Sequence, residues 1–250
     1  MTEQIIPELI EEPISVNCVL IVPAAGVGSR FGADKPKQCV DLNNVPILVH
    51  ALRAFEELPE VKTIVLSLNP DWHLFIENRL YEFGLRKIKF IVEGGKERQD
   101  SVMNTLKLDA VKNADVVLIH DSVRPFPSQR LIRDVIKNTL EHGAAIPAIV
   151  PKNTIKETDP MGFVAKTFMR STLRSVQTPQ GFAPDILIKS YAKAAKDRFL
   201  GTDDSSLVEN AGYPVKIVEG EDTNIKITTP ADMKLAEIIQ YLDSKIHQPI

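Results

Sequence analysis

The chain has 250 residues, of which 44% are hydrophobic and 25% are charged. This composition is typical of a globular protein with enough apolar material for one large core. The net charge of -3 argues against the basic field that holds nucleic acid or anionic lipid, so neither is expected as a partner. The two cysteines have no CxxC spacing, which argues against a zinc site or a disulfide framework.

Residues 1–16 are expected to form an N-terminal tail before one domain at residues 17–250. The tail is acidic and lacks the basic and apolar regions of a signal peptide. No apolar run in the sequence approaches the roughly 20 residues that are needed to span a bilayer. We therefore expect a cytoplasmic protein that does not enter a membrane.

Short runs rich in β-branched residues alternate with segments of helical period between residues 17 and 150. This pattern predicts a Rossmann-like α/β sandwich, in which helices cover both faces of a mostly parallel sheet. The predicted strands are Val19–Val22, Thr63–Leu68, Ile88–Val92, Val116–His120 and Ala144–Ile149. The predicted helices are Ile47–Glu57, Trp72–Phe83 and Ser128–His142. The last helix has a serine N-cap and stops before Gly143.

The alternation of strands and helices is interrupted at residues 152–180. Three segments there alternate apolar and polar residues with no helix between them, namely Thr154–Lys156, Phe163–Phe168 and Ser175–Gln177. They predict an antiparallel β-arm that projects from the sheet. Because an isolated ribbon is marginally stable in water, we expect the arm to pack on something, with a second subunit as the candidate. The rest of the chain predicts a helix, a strand and a helix at Asp185–Lys196, Val215–Val218 and Thr229 to about Ile246.

A glycine-rich turn follows the first predicted strand. The segment Pro23-Ala-Ala-Gly-Val-Gly-Ser-Arg30 gathers backbone amides at the carboxyl end of a strand, where open α/β sheets bind ligands. The turn is not a dinucleotide fingerprint, because the third glycine would fall at Phe31, and no Gly-Lys-Ser/Thr follows as in a Walker loop. Alone it is also typical of a plain strand-to-helix connection. Arg30 and the basic segment at residues 34–38 add fixed cations, a combination that suits a triphosphate.

Two further polar segments arrive at the same sheet edge, at residues 93–101 after the third strand and at residues 120–125 after the fourth. Asp121 is therefore placed to touch a metal ion or a substrate hydroxyl. A buried ion pair of Asp121 with Arg124, capping the strand end, is an equal alternative at this point. Arg170 and Lys226 are single cations that, taken alone, are most often solvated surface charges.

Eight motifs in chain order are similar to those of one known family, the 2-C-methyl-D-erythritol 4-phosphate cytidylyltransferases. The resemblance covers about residues 18–245. The motifs are Pro23-Ala-Ala-Gly-x-Gly-x-Arg30, Pro36-Lys-Gln38, Gly94-Gly95 with Ser101, His120-Asp121 with Arg124-Pro125, Thr154-x-Lys156, Thr178-Pro-Gln180, Thr202-Asp203 and Asn224-Ile-Lys-x-Thr228.

The resemblance implies a nucleotidyltransferase sandwich that transfers CMP from CTP to 2-C-methyl-D-erythritol 4-phosphate, with Mg²⁺, and releases pyrophosphate. An ionised acceptor phosphate is already a nucleophile, so the reaction needs charge stabilisation and positioning rather than a histidine base. The resemblance makes Arg30 and Lys37 the transition-state cations. Removing either should cost about 3 kcal/mol, on the order of a hundredfold in rate.

The resemblance also implies which residues bind the substrates and the metal. It assigns CTP binding to Ala24, Ala25, Gly26, Gly28, Gly95, Arg98, Ser101 and Asp121. It assigns acceptor binding to Asp121, Arg124, Thr154, Arg170, Thr178 and Lys226. Mg²⁺ would be held mainly by the CTP phosphates, with Asp121 as the candidate protein ligand. In the family, Thr154 and Arg170 lie on an arm that reaches the neighbouring subunit's site, which implies a homodimer through the β-arm.

Two alternatives to this function remain open from the sequence. The segment His120-Asp-Ser-Val-Arg-Pro-Phe126 is closer to ribitol-5-phosphate cytidylyltransferases, whereas the Pro-Ala-Ala-Gly start at Pro23 and the segment at residues 202–206 are not. A non-catalytic nucleotide-binding module on the same fold is the alternative from another class. The cations at residues 30, 37, 170 and 226 speak against such a module, because a binder has no use for them around the α-phosphate.

Overall fold

The structure, a computed structural model, describes residues 16–26 and 35–246. The strands of the described chain are β1 (Cys18–Pro23), β2 (Asp41–Leu42), β3 (Val45–Pro46), β4 (Val61–Leu68), β5 (Ile88–Glu93), β6 (Val116–Ile119), β7 (Ala144–Ile149), β8 (Lys156–Thr158), β9 (Val164–Thr167), β10 (Ser175–Val176), β11 (Gln180–Phe182) and β12 (Lys216–Glu219). The α-helices are α1 (Ile47–Glu57), α2 (His73–Glu82), α3 (Arg98–Thr105), α4 (Asp109–Lys112), α5 (Gln129–His142), α6 (Pro184–Asp197), α7 (Asp204–Asn210) and α8 (Pro230–Ile246).

An eight-stranded sheet forms the centre of the fold. Its strand order is β10-β7-β11-β6-β1-β4-β5, and β12 pairs with β7 beside this path. The pairs of β1 with β4, β1 with β6, β4 with β5 and β7 with β12 are parallel. The chain therefore winds outward from β1 in one direction through β4 and β5, and in the other direction through β6. Such a reversal opens a crevice at the carboxyl ends of the strands, where ligands bind.

Helices cover both faces of the sheet, as the sequence predicts. Alternate residues of β1 point to opposite faces, so that Leu20 and Val22 join the core under α1 and α5, whereas Val19 and Ile21 join the core under α3, α6 and α7. All four side chains are fully or almost fully buried. The predicted α/β sandwich with a mostly parallel sheet is confirmed.

Helix α5 begins one residue after the predicted start, because Ser128 is its cap, and it ends at His142 as predicted. The Ser128 hydroxyl accepts a hydrogen bond from the Leu131 amide at 3.0 Å and caps the first turn. Gly143 ends the helix with φ of 83°, a left-handed conformation that only glycine adopts without strain.

No helix in residues 16–26 and 35–246 is both long and apolar enough to cross a membrane.

The antiparallel arm is shorter than the sequence predicts. Strands β8 and β9 form a separate two-stranded ribbon, but Ser175 and Val176 pair with β7 in the main sheet. The prediction that Ser175–Gln177 leaves the sheet is therefore wrong. The alternation of apolar and polar residues is the same for a strand of an arm and for a short strand at the side of the main sheet, so it cannot choose the partner.

A short antiparallel strand that the sequence did not predict, β11, lies between β6 and β7. It runs beneath α5, where a Cβ atom on Gly181 would lie 2.2 Å from the Thr139 hydroxyl oxygen. Only glycine allows this close approach of strand and helix. Because β11 begins two residues after Thr178, its pairing with β6 brings Thr178 beside the end of that strand.

Candidate active site

Two neighbouring cavities open at the reversal of the strand order. The first, here called the loop cavity, has a volume of about 490 Å³ and lies between the turn after β1, the 3-10 helix at Lys37–Cys39, the start of α3 and the end of β6. The second, here called the side cavity, has a volume of about 560 Å³ and is bordered by β10, β11 and the start of α7. Arg98, Asp121 and Lys226 line both cavities. They form the wall between the two.

The turn after β1 is braced by Gln38. This side chain is 4% exposed, and its amide nitrogen donates hydrogen bonds to the carbonyl oxygens of Ala24 and, at 3.1 Å, of Gly26. The backbone carbonyl groups of Ala24 and Gly26 therefore point toward the Gln38 side chain. Ala25 and Gly26 line the loop cavity, while Ala24 is buried behind it.

The loop after β5 packs on the same turn because it contains two consecutive glycines. A Cβ atom on Gly94 would lie 2.1 Å from the Cβ of Ala25, and one on Gly95 would lie 2.1 Å from the Cβ of Asp100. The Ser101 hydroxyl accepts a hydrogen bond from the Gly95 amide at 3.0 Å and donates to the Glu97 carbonyl oxygen at 3.1 Å. These contacts fix the Gly95 backbone and the Ser101 hydroxyl at the edge of the loop cavity.

Asp121 is the centre of charge in the wall between the cavities. Its Oδ1 lies 3.3 Å from Nε of Arg98, and its Oδ2 lies 2.8 Å from Nζ of Lys226 and 3.5 Å from Nε of Arg124. Burial alone would raise the pKa of Asp121, but these three cations hold its pKa well below the ordinary range. Asp121 is therefore ionised at neutral pH.

The structure shows the ion pair of Asp121 and Arg124 that the sequence offered as one alternative, and contact of Asp121 with a metal ion or a substrate stays a prediction. The two residues pair at the strand end, and each lines the side cavity. Nη1 of Arg124 also donates to the Asn224 carbonyl oxygen at 2.8 Å. Burial lowers the pKa of Arg124, and the Asp121 carboxylate opposes that effect.

Most of the predicted site residues come together at these cavities. The loop cavity is lined by Ala25, Gly26, Lys37, Gly95, Arg98, Ser101, Asp121 and Lys226. The side cavity is lined by Arg98, Asp121, Arg124, Thr178 and Lys226. Gly28 and Arg30 lie outside the described residues, so their roles stay predictions.

Two predicted acceptor ligands, Thr154 and Arg170, lie elsewhere. Both are exposed at the arm, and neither lines the loop cavity or the side cavity. Nη1 of Arg170 donates to the Lys152 carbonyl oxygen at 2.9 Å. Within one subunit these two residues do not take part in the site.

Three residues that support the site were not predicted from the sequence. They are Gln38, whose role as a brace was not foreseen, and the buried pair Tyr191 and Asp204 behind Arg98. A signal for Asp204 was present, because Asp203 and Ser206 have the spacing of a capping box. That signal predicts a helix starting at Asp204 but not the direction of its side chain.

The described residues do not form a protein cage for a metal. In residues 16–26 and 35–246 there is no group of three or more His, Cys, Asp or Glu side chains that could hold an ion. The carboxylates that line the loop cavity are Glu97 and Asp121, and both oxygens of Asp121 already face cations. Such a site fits a hard cation that arrives with several phosphate oxygens as ligands.

The fold and the cavities define a class of protein. Backbone amides, a hydroxyl and several cations meet at the reversal of a mostly parallel sheet, in two cavities that share one charged wall. Cations that face two cavities can bring two phosphorylated molecules together against their mutual repulsion. This arrangement is that of a nucleotidyltransferase.

Comparison with known proteins specifies the family. A family model, IspD: 2-C-methyl-D-erythritol 4-phosphate cytidylyltransferase, matches residues 18–241. A protein of that name from Bacillus mycoides is 42% identical over 226 residues, which cover 90% of this chain and 99% of its own. The chain therefore belongs to the IspD family of 2-C-methyl-D-erythritol 4-phosphate cytidylyltransferases.

Solved structures support the same assignment. The crystal structure of 4-diphosphocytidyl-2C-methyl-D-erythritol synthase from Anaerococcus prevotii matches with a TM-score of 0.78 and 31% identity, over 92% of this chain and 99% of that one. The crystal structure of the Francisella tularensis IspD matches with a TM-score of 0.76 and 33% identity, over 89% and 99% of the two chains. The resemblance seen in the sequence motifs is confirmed.

Proposed function

We propose that the chain transfers the CMP group of CTP to 2-C-methyl-D-erythritol 4-phosphate, giving 4-diphosphocytidyl-2-C-methyl-D-erythritol and pyrophosphate. An acceptor phosphate oxygen bonds to the α-phosphorus of CTP while the bond from that phosphorus to the β-phosphate oxygen breaks. The observation that carries the proposal is the shared wall of Arg98, Lys226 and Asp121 between the two cavities. It allows one substrate on each side of the same cations.

We assign CTP to the loop cavity and the acceptor to the side cavity. The Gly95 backbone and the Ser101 hydroxyl suit the edge of a pyrimidine, because close backbone approach and one hydroxyl can read it. Lys37 lines the same cavity and would stabilise the crowded phosphorus together with Arg30. In the side cavity, Arg124 and Lys226 are the cations beside the hydroxyl of Thr178.

The metal of this reaction is proposed to be Mg²⁺. IspD enzymes are nucleotidyltransferases, which usually use a divalent metal ion. Mg²⁺ prefers oxygen ligands and commonly binds through substrate phosphates with one or two carboxylates. Asp121 is the carboxylate that would face it, while Lys37 and Arg98 act on the phosphates directly. When bound, the ion would supply positive charge that offsets the charge of the leaving pyrophosphate.

We propose that the chain forms a homodimer through the β-arm. The ribbon of β8 and β9 is exposed along its whole length, although a two-stranded ribbon is marginal without a partner surface. Three large apolar side chains stand out on it, with exposed fractions of 80% for Met161, 68% for Phe163 and 57% for Val164. A second subunit would cover them and would bring Thr154 and Arg170 to its own site.

The activity is tested by following pyrophosphate release from CTP and Mg²⁺ with methylerythritol phosphate and with ribitol 5-phosphate in turn. We expect turnover with methylerythritol phosphate to be much the faster. Faster turnover with ribitol phosphate would replace the acceptor in the proposal. CTP binding without release with either polyol phosphate would instead support a non-catalytic binding module.

A Lys37→Ala variant tests the assignment of the loop cavity. Loss of a preorganised cation beside the α-phosphorus should lower kcat by about a hundredfold, equivalent to about 3 kcal/mol. Lys62→Ala is the matched control, because Lys62 is exposed at the amino end of β4, on the opposite edge of the sheet. Equal kcat values for the two variants would remove Lys37 from the proposed mechanism.

The cytoplasmic location stays a prediction, which cell fractionation tests.

A further inference from the structure

A buried carboxylate lies behind the wall between the two cavities. Asp204, in the first turn of α7, is 1% exposed, and its Oδ2 lies 2.7 Å from Nη2 of Arg98. Its Oδ1 accepts a hydrogen bond from the hydroxyl of Tyr191, which is itself 2% exposed in α6. A buried carboxylate is tolerated only when it is paired and hydrogen-bonded, so Asp204 is firmly fixed by these two partners.

Arg98 is held between two carboxylates. Its Nη2 faces Asp204, and its Nε lies 3.3 Å from Oδ1 of Asp121. The guanidinium is planar and rigid, so two contacts on different nitrogen atoms set its position and its orientation. Burial alone would lower the pKa of Arg98, but Asp204 and Asp121 raise it, which keeps the cation charged in this setting.

Asp204 gives Arg98 a second carboxylate partner. Three cations, Arg98, Arg124 and Lys226, face Asp121. Removing the charge of Asp204 would add one net positive charge to the cluster. It would also leave Arg98 with Asp121 as its carboxylate partner, shared with Arg124 and Lys226, so the guanidinium would no longer be held from two sides.

We propose that Asp204, held by Tyr191, is a positioning residue that fixes the Arg98 guanidinium at the wall, where it contacts the phosphates of bound CTP. Asp204 and Tyr191 line neither the loop cavity nor the side cavity, so the inferred route from Asp204 to CTP runs through Arg98. The inference rests on the proposed placement of CTP in the loop cavity.

The test is a double-mutant cycle on CTP affinity, measured by calorimetry in the presence of Mg²⁺. Asp204→Asn keeps the shape of the side chain and removes its charge. We expect it to weaken CTP binding about tenfold, the usual size of one hydrogen bond to a charged group. In an Arg98→Ala background the same change should have less than about a twofold effect, because the residue through which it acts is gone.

A second variant and a control separate positioning from folding. Tyr191→Phe removes one hydroxyl from the network and should weaken CTP binding about threefold, a smaller effect because the charge of Asp204 remains. Ser190→Ala is the control, since Ser190 is buried beside Tyr191 in α6 but its hydroxyl donates to the Ile186 carbonyl oxygen rather than to Asp204. It should leave CTP affinity unchanged even if it lowers the melting temperature.

Kinetics distinguish this inference from the proposed reaction. For Asp204→Asn we expect KM for CTP to rise about tenfold while kcat changes less than about threefold, because Arg98 binds the ground state and the transition state alike. An equal loss of affinity in the Arg98→Ala background, or a loss matched by Ser190→Ala, would overturn the positioning role. If the wild type binds CTP but releases no pyrophosphate, the proposed reaction fails and the binding cycle still decides the role of Asp204.

Discussion

His120 shows how its neighbours dictate the protonation of a single residue. The ring is fully buried, and its Nε2 lies 2.9 Å from the Arg124 carbonyl oxygen, which can only accept, so Nε2 carries the hydrogen. Nδ1 therefore accepts from the Thr178 hydroxyl at 2.9 Å, and that hydroxyl oxygen accepts from the Asp121 amide at 3.1 Å. A neutral His120 thus links the Arg124 carbonyl group and the Thr178 hydroxyl at the end of β6. This structural role agrees with a reaction that needs no histidine base.

The protonation of His120 gives a pH prediction. Burial lowers the pKa of His120 to about 4, below the ordinary value near 6.5. Between these values the unfolded chain binds a proton that the folded chain does not, so the free energy of unfolding falls as the pH falls. We expect this residue to account for a loss of about 2 kcal/mol between pH 7 and pH 5.

The measurement is urea unfolding of the wild type and of His120→Gln at both pH values in metal-free buffer. Glutamine keeps a donor for the Arg124 carbonyl oxygen but cannot take up the proton. The pH dependence of the variant should be smaller than that of the wild type by this amount. His50, which is also buried and whose pKa burial also lowers, is common to both proteins, so its contribution cancels. An unchanged pH dependence would contradict the account of His120.

The two cysteines should be unreactive in the folded protein. Burial raises the pKa of Cys18 to about 12 and that of Cys39 to about 11, so the thiolate that reacts is scarce at pH 8. We expect an aromatic disulfide reagent to label the native protein very slowly and to label both thiols at once after unfolding in denaturant. Cys39 is 3% exposed and packs in the core as a small hydrophobic side chain, so fast labelling of native Cys39 would contradict this account.

At the scale of elements, long periodic segments could be predicted from the sequence and short ones could not. Helix α1 has the predicted bounds Ile47–Glu57, and α5 differs by its cap residue only. The strand predicted at Val116–His120 ends one residue earlier, because the His120 side chain belongs to the hydrogen-bonded loop. No helix was predicted after the polar segment at residues 93–101, yet residues 98–105 form α3 behind a capping box of Glu97 and Asp100.

The cavities could be located from the sequence more readily than the contacts within them. Parallel strands bring the segments after β1, β5 and β6 to one edge, which is why Lys37, Ser101 and Asp121 were foreseen together. Lys226 lies 2.8 Å from Asp121. This distance depends on how the chain returns to the site after β12, and a local sequence pattern cannot predict that return. The same holds for Asp204, since only the packing of α6 against α7 turns its side chain toward Arg98.

The predicted N-cap of α5 can be tested directly. The Ser128 hydroxyl accepts from the Leu131 amide and donates to Oε1 of Glu221 at 2.6 Å. Ser128→Ala removes both hydrogen bonds and should lower the free energy of unfolding by about 1–2 kcal/mol, measured by urea denaturation. Ser128→Thr keeps the hydroxyl and should restore most of the loss. An alanine variant as stable as the wild type would show that the cap contributes nothing.

At the scale of the whole molecule, one reversal of strand order determines where the chemistry can lie. The two cores on either side of the sheet make β1, β4 and β6 a rigid platform, and the loops that leave its carboxyl edge carry the charged groups. The arm stands apart from this platform. Its exposed apolar residues and the remote positions of Thr154 and Arg170 are explained together if the arm completes the site of a second subunit.

A mixture of two inactive variants tests that explanation. Arg170→Ala removes the cation from the arm, and Lys37→Ala disables the loop cavity of its own subunit. After subunit exchange in an equal mixture, about half of the dimers are mixed, and each has one site that combines an intact Lys37 with an intact arm from its partner.

About one quarter of all sites should then be active, and the pyrophosphate-release rate should rise toward a quarter of the wild-type rate. Light scattering establishes that the variants remain dimers. If the mixture releases pyrophosphate no faster than the sum of the two variants, Arg170 does not act across a subunit interface. Recovery requires an intact residue from each chain at one site, so it cannot arise from a protein whose arm serves only its own subunit.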